Sequence, residues 1–490
     1  MDELREKTIV GSFWSLFERF GYLTIQFLSN LVFARLLMPD DFGVIGILLI
    51  FTSLSTVLVD GGLASALIQK KVIDDKDSST MFFTNLGLAI IVYFLIFIFS
   101  PLIATYFKNP EIALLLRVIE LIVIIDAFSA VQTAILSREM KFNLLAKYKI
   151  VAILIAVIVS IPCVFLGLGV WSLVIQYVVY SLIRAILLWA RSNWRPAFVY
   201  SKESFSSLFG YGSKLLLAQF ISELYVNFQS IIIGRKFLAK DLGFYTQAKQ
   251  LQQVPVQSLS NVVNSVSFPA FSKLQDDKES LRIMVRQNLK GLVFINTPLM
   301  FYLSVAATPV LVFLYSAKWL QSVPYFQFLC LGFGVLLIIH QCTLTTLRAL
   351  GRSDYVLKLE IIKKILGITL LLVCTHFWGI WGIMIGLTIN SILELFLNGF
   401  YLYKEIEYGA LGQIRDFLPS LLMSIVSSVL AFCLLTYLIP TWPNFLQLLL
   451  SFICFAGCYI GLAYVFKVDS LWMFKKIVDR FISPHLHNNR

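Results

Sequence analysis

Apolar residues along this chain fall into runs of about 20 or more, separated by short polar or charged stretches, almost from end to end. About 20 residues of α-helix span the ~30 Å hydrocarbon core of a bilayer. By that length the chain reads as about fourteen spans: 9–34, 42–68, 80–107, 111–137, 146–167, 170–190, 206–234, 242–268, 290–315, 322–347, 355–376, 379–402, 415–438 and 445–466. Lipid leaves no partner for an open backbone, so runs this long predict helices rather than strands. The fold class expected is an all-α polytopic membrane protein of about 14 transmembrane helices.

The pattern repeats. Ala34-Arg35-Leu36-Leu37-Met38-Pro39-Asp40-Asp41-Phe42-Gly43 returns as Gly234-Arg235-Lys236-Phe237-Leu238-Ala239-Lys240-Asp241-Leu242-Gly243, with Arg, Asp and Gly at one shift. Gly169-Val170-Trp171 returns as Gly379-Ile380-Trp381, and Ser181 falls on Ser391. Each copy holds six spans. An even number gives both copies the same orientation, a parallel repeat of the kind found in transporters. The expected division is a six-helix lobe over 1–200, a second over 201–405, and a two-helix addition with a tail over 406–490.

Polar residues inside the spans are arranged in stripes at helical spacing. The first span carries Ser15, Glu18, Tyr22, Gln26 and Ser29, with Arg19 at the edge; the second carries Ser53, Thr56 and Asp60. The seventh carries Gln219, Glu223, Asn227, Ser230 and Gly234, and the eighth Gln250, Gln253, Gln257, Asn261 and Asn264, with Lys249 beside them and a kink expected at Pro255. Such residues can simply bind helices together in lipid. Four stripes at repeat-related positions favour the other reading, a hydrated cavity between the halves. The candidate substrate-binding residues are Arg19, Tyr22, Gln26, Asn227, Lys249, Gln250, Gln253, Gln257, Asn261 and Asn264. Arg19 and Lys249 are the expected contacts for an anionic group. Glu18, Asp60, Asp126 and Glu223 are the candidate ion-coupling carboxylates, Glu223 first among them.

Composition agrees: of 490 residues, 58% are hydrophobic and 14% charged, against roughly 25% charged in soluble proteins. The net charge of +12 follows sidedness rather than marking nucleic acid. With the N-terminus inside, the inner segments hold roughly 27 Lys and Arg and the outer ones roughly six. Both termini are therefore expected in the cytoplasm. Met1 to Thr8 leads straight into a full-length span, so no cleavable signal is expected. The seven cysteines lie inside spans and read as small apolar residues.

No enzyme constellation emerges. Asp75-Lys76-Asp77 has the spacing of a glycosyltransferase metal motif but reads as a solvated turn. There is no Walker motif, and His340 and His376 are isolated. No metal or cofactor is expected. Arg117 and Glu120 stand at i,i+3 and are placed to pair. Arg184, Lys363, Lys364 and Glu394 read as snorkelling or structurally paired.

Four further segments carry a family resemblance: Gly62-Leu63-Ala64-Ser65-Ala66-Leu67-Ile68-Gln69-Lys70, Gly210-Tyr211-Gly212-Ser213-Lys214-Leu215-Leu216, Leu242-Gly243-Phe244-Tyr245-Thr246-Gln247-Ala248 and Phe268-Pro269-Ala270-Phe271-Ser272. In combination, over about 8–405, the chain resembles the Wzx-type lipid-linked oligosaccharide flippases of the MOP exporter superfamily, in the branch of colanic acid and teichuronic acid exporters. The resemblance implies two six-helix lobes working by alternating access in a bacterial cytoplasmic membrane. It implies a polyprenyl-diphosphate-linked repeat unit as cargo, for lipopolysaccharide, capsule or exopolysaccharide. The partners it implies are the lipid-linked oligosaccharide, membrane lipids, and a polysaccharide polymerase and glycosyltransferases of the same pathway, with no nucleic acid. The alternatives are a MATE-like drug or metabolite antiporter and, from another class, a membrane polymerase or glycosyltransferase. The short outer loops disfavour the second.

Overall fold

The computed structural model describes residues 21–60, 62–70, 73–263 and 267–472. Among them every regular element is a helix and no residue is in a strand. In chain order these are α1 (21–36), α2 (Pro39–Asp60), α3 (Leu63–Gln69), α4 (Asp75–Tyr106), α5 (Glu111–Ile119) and α6 (Leu121–Arg138). Next come α7 (Phe142–Phe165), α8 (Val170–Arg191), α9 (Lys202–Lys236), α10 (Ala239–Val262), α11 (Phe268–Ser272) and α12 (Lys278–Val305). The last are α13 (Ala307–Tyr315), α14 (Val323–Phe328), α15 (Val335–Ala349), α16 (Ser353–Ile406), α17 (Ala410–Cys433) and α18 (Asn444–Val465).

Among the described residues eight helices are long and apolar enough to cross a membrane. A ninth is added if α12 and α13, bent by 74° at their break, are one span. The difference from fourteen has identifiable sources. The first span begins outside the described residues, the fourth is broken into α5 and α6, and α16 holds two expected spans. α9 and α10 are diluted by their own polar stripes.

Several local devices set the helix ends. The Asp41 carboxylate accepts the Met38 N–H at 2.9 Å, and Asp241 accepts the Leu238 N–H at 3.1 Å. Repeat-related aspartates thus satisfy the same free donor at the starts of α2 and α10. α4 opens with a reciprocal cap between Asp74 and Asp77. Asp77 is not part of a solvated turn: it is buried and paired with Lys70 at 2.6 Å. The charge cluster is the start of a span, where a carboxylate completes the cap. Arg138 reaches across to the carbonyls of Leu67, Ile68 and Lys70, which end α3.

Gly169, which precedes α8, has φ 51° and ψ −128°, and Gly379, inside α16, has φ 57° and ψ −135°. This region is open essentially to glycine alone. The Gly-x-Trp repeat is therefore a repeated turn: α16 is two helices joined at Gly379, as α7 and α8 are joined at Gly169.

Packing divides the chain into two compact units, Met1–Thr246 and Gln247–Arg490. In the first, α2 packs on α4, α6 and α9, and α7 on α8. At the start of α2 the approach is very close. A Cβ on Gly43 would lie 1.8 Å from the Ala239 carbonyl oxygen, and one on Gly243 2.0 Å from that of Pro39. Residues 39 and 43 thus meet 239 and 243 reciprocally, as a local two-fold requires. In the second unit α12 packs on α15 and α17, and α17 on α18.

Candidate functional site

Within the first unit, polar groups from α1, α2, α4, α5, α6, α8 and α9 gather in three clusters. The largest centres on Arg184 of α8. Its Nη2 lies 2.9 Å from Asp126 Oδ1, with both side chains about three-quarters covered. Ser181, one turn earlier, donates to the same carboxylate. The guanidinium carbon lies 5.8 Å from the Tyr180 ring centroid, and the Tyr22 and Tyr180 rings are 5.8 Å apart. Asp60 is within electrostatic reach of Asp126 and Arg184. The α1 stripe continues onto α8, where Gln176 donates to Ser29 at 2.8 Å. Three sequence candidates, Tyr22, Asp60 and Asp126, therefore converge on Arg184. Arg184 itself, near a helix end, reads in the sequence as snorkelling or structurally paired. Pairing with Asp126 is what the structure shows.

The second cluster joins α9 to α2. The Asn227 amide donates to Glu223 Oε1 at 2.8 Å and to Ser53 Oγ at 3.2 Å. Two stripes read separately in the sequence thus meet.

The third was missed. Arg117 and Glu120 do not pair. Arg117 donates from Nε to Ser100 at 2.8 Å and covers the Phe97 ring at 4.3 Å. The helix breaks after Ile119, which turns Glu120 away to the buried face of α2. There its Oε1 lies 3.1 Å from the Thr52 hydroxyl, and Ser55 donates as well. Glu120 is 0% exposed and has no ion pair among the described residues. An ionisable group held by neutral donors at membrane depth is a default functional candidate. The sequence signal was present, an acid in mid-span, but the i,i+3 spacing to Arg117 offered an apparent partner.

The second unit has a related cluster. His340 Nε2 lies 3.2 Å from Ser391 Oγ, so this histidine is isolated only in the sequence. Lys363 is buried and 2.9 Å from Glu360, and Asn390 donates to Glu394 at 2.8 Å. Ser181 and Ser391, matched by the repeat, each bond an ionisable side chain on the span two before their own. On α10, Gln250, Gln253 and Lys249 are half-buried and Gln257 is exposed, whereas Gln247 and Gln252 are buried. Glu18, Arg19 and Asn264 lie outside the described residues, as does the side chain of Asn261.

These clusters can hold or move protons and ions and can hydrogen-bond polar cargo. Among the described residues no group of His, Cys, Asp or Glu could hold a metal ion.

A sequence profile of the family described as "Polysaccharide biosynthesis protein" matches residues 32–324, more than half of the chain. The chain belongs to this polysaccharide biosynthesis protein family. The Wzx-type, MOP-superfamily resemblance read from the motifs is borne out by its relatives. The lipopolysaccharide biosynthesis protein WzxC of Escherichia coli (strain K12) is 27% identical over 409 residues, 82% of each chain. The teichuronic acid biosynthesis protein TuaB of Bacillus subtilis (strain 168) is 24% identical over 72% of this chain and 74% of its own. Among solved structures, the lipid II flippase MurJ matches with a TM-score of 0.73 at 17% identity, covering 94% of this chain and 99% of its own. A multidrug resistance MATE family transporter matches with a TM-score of 0.58 at 17% identity, covering 83% and 98%. The family member is thus a multi-pass membrane protein with the fold of the MOP superfamily. The family profile ends in the tenth span, so α15–α18 lie beyond it.

Proposed function

We propose that this protein flips a polyprenyl-diphosphate-linked oligosaccharide repeat unit from the cytoplasmic to the outer leaflet of a bacterial inner membrane, by alternating access. Family membership over residues 32–324 carries this reading. Its relatives are named for lipopolysaccharide and teichuronic acid biosynthesis, and the MurJ structure is named a lipid II flippase. The physics fits: sugars and diphosphate cannot enter hydrocarbon without partners, and polar stripes inside spans supply them. Cationic side chains, Lys249 among those described, suit a diphosphate. The MATE-like reading shares only the fold, and over less of the chain. A polymerase and glycosyltransferases of the same pathway are the proposed working partners.

The lysine and arginine asymmetry supports a topology with both termini in the cytoplasm. Alkaline phosphatase fused after Ala410 is expected to be inactive, and fused near Trp319 active. The reverse pattern would invert the topology.

With no Walker motif in the sequence, net export draws on an ion gradient or on removal of the product. Glu223, bonded to Asn227 across one turn, is the proposed coupling residue, with Asp60, Asp126 and Glu18 as the other candidates. The test is reconstitution in vesicles with a lipid-linked saccharide, following its accessibility from each side. Wild-type protein is expected to expose the saccharide on the far side, and faster under a proton gradient. Glu223→Gln should keep transport but lose the dependence on that gradient. Failure of wild type to move the saccharide would sink the flippase reading. Equal rates with and without proton and sodium gradients would sink the coupling alone.

A further inference from the structure

At one end of the second unit a cavity of about 800 Å³ lies among α12, α17 and the residues just past α18. Four cations line it: Arg286, Lys290, Arg415 and Lys467. Two carboxylates answer them. Asp416, buried, takes both Arg286 Nε at 2.6 Å and Nη2 at 2.9 Å, with Lys290 at 3.7 Å and the Tyr408 hydroxyl donating at 2.9 Å. Asp469, exposed, takes Lys290 at 3.1 Å. Among the described residues, Arg415 and Lys467 have no carboxylate partner, so the cavity holds a surplus of two positive charges.

The rest of the wall is apolar. Leu418, Leu422 and Val426 stand at i, i+4 and i+8 on α17, a stripe about 12 Å long that starts beside the cations and runs down the helix. Leu462 and Phe466 of α18 and its end face the same space. Leu422, Val426 and Phe466 are about half exposed or more, so protein does not cover the stripe. A cationic end joined to an uncovered apolar groove matches a molecule with a negative head and a hydrocarbon tail. Free phosphate would leave the groove empty.

We infer that this cavity is a binding site for a phospholipid with an anionic headgroup. Its phosphate contacts Arg415 and Lys467, and an acyl chain lies along Leu418, Leu422 and Val426. Both unpaired cations lie beyond the stretch matched by the family profile, and the cavity shares no lining residue with the stripes assigned to cargo. The inference rests on the chain being a membrane protein and not on what it transports. Asp416 has a defined part: it holds Arg286 and Lys290 as the rim of the site while leaving the other two cations to the ligand.

The test uses the full chain in nanodiscs of phosphatidylcholine containing a minority of phosphatidylglycerol. Native mass spectrometry reads the phosphatidylglycerol retained on the protein. Wild type is expected to enrich it, and Arg415→Gln/Lys467→Gln to lose that enrichment about tenfold. Lys358→Gln, an exposed lysine elsewhere, should retain it. Thermal unfolding of wild type alone supplies a second reading. Phosphatidylglycerol should raise Tm relative to pure phosphatidylcholine, and the gain should shrink in high salt. Equal enrichment in wild type and the double variant would overturn the site, as would no Tm gain in wild type. Displacement of phosphatidylglycerol by polyprenyl diphosphate at equal concentration would reassign the cavity to the cargo.

Discussion

Replacing Arg184 with Met is expected to destabilise the protein by about 3–5 kcal/mol, and replacing Asp126 with Leu by a similar amount. Each single change strands a charge at membrane depth that the other had compensated across 2.9 Å. Asp126→Leu also removes the acceptor of Ser181. The double variant Arg184→Met/Asp126→Leu is expected to recover most of the loss, because two apolar side chains replace two charges that had to be stripped of water. Reversible unfolding in mixed micelles reads all three. Additive losses in the double variant would show that the two charges do not compensate each other. A stable double variant that no longer moves saccharide would show that the Arg184 cluster serves transport, with Tyr22 and Asp60 as its other members.

Gly43→Ala and Gly243→Ala are each expected to cost about 1–3 kcal/mol. The obstacles to the added methyls are carbonyl oxygens at 1.8 and 2.0 Å. Backbone cannot rotate aside as a side chain can, so the helices must separate. One separation accommodates both methyls, so the double variant should cost less than the sum of the singles. Wild-type stability in either single variant would mean that the helix starts do not approach so closely. Strict additivity would mean that the two contacts yield independently.

The spans were legible because a bilayer imposes a length on every apolar run, and no other solvent does. The repeat was legible for a different reason. Asp41 and Asp241 perform one capping task, and Gly169 and Gly379 hold one backbone conformation, so the letters could not drift. What resisted was the facing of polar residues. Periodicity says that Gln250, Gln253 and Gln257 share a side of α10, but in lipid the covered side need not be the polar one. The buried glutamines are Gln247 and Gln252. The break after Ile119 was equally hidden: the apolar pattern runs through Glu120 without interruption, and nothing local announces that the helix stops there. Arg184 and His340 were underrated because their partners, Asp126 and Ser391, lie more than fifty residues away. Linear reading finds pairs at three and four and no further.

The glycine turns have a mechanical consequence. Gly379 joins two helices whose backbones touch just beyond it, since a Cβ on Gly382 would lie 2.0 Å from the Cys374 carbonyl oxygen. A hairpin closed that tightly cannot open like scissors or slide one leg past the other. It can only travel as a single strut, carried whole. Bending has to be borne elsewhere, at joints where the hydrogen-bond ladder is already interrupted, such as Glu120 between α5 and α6 and the 74° elbow between α12 and α13.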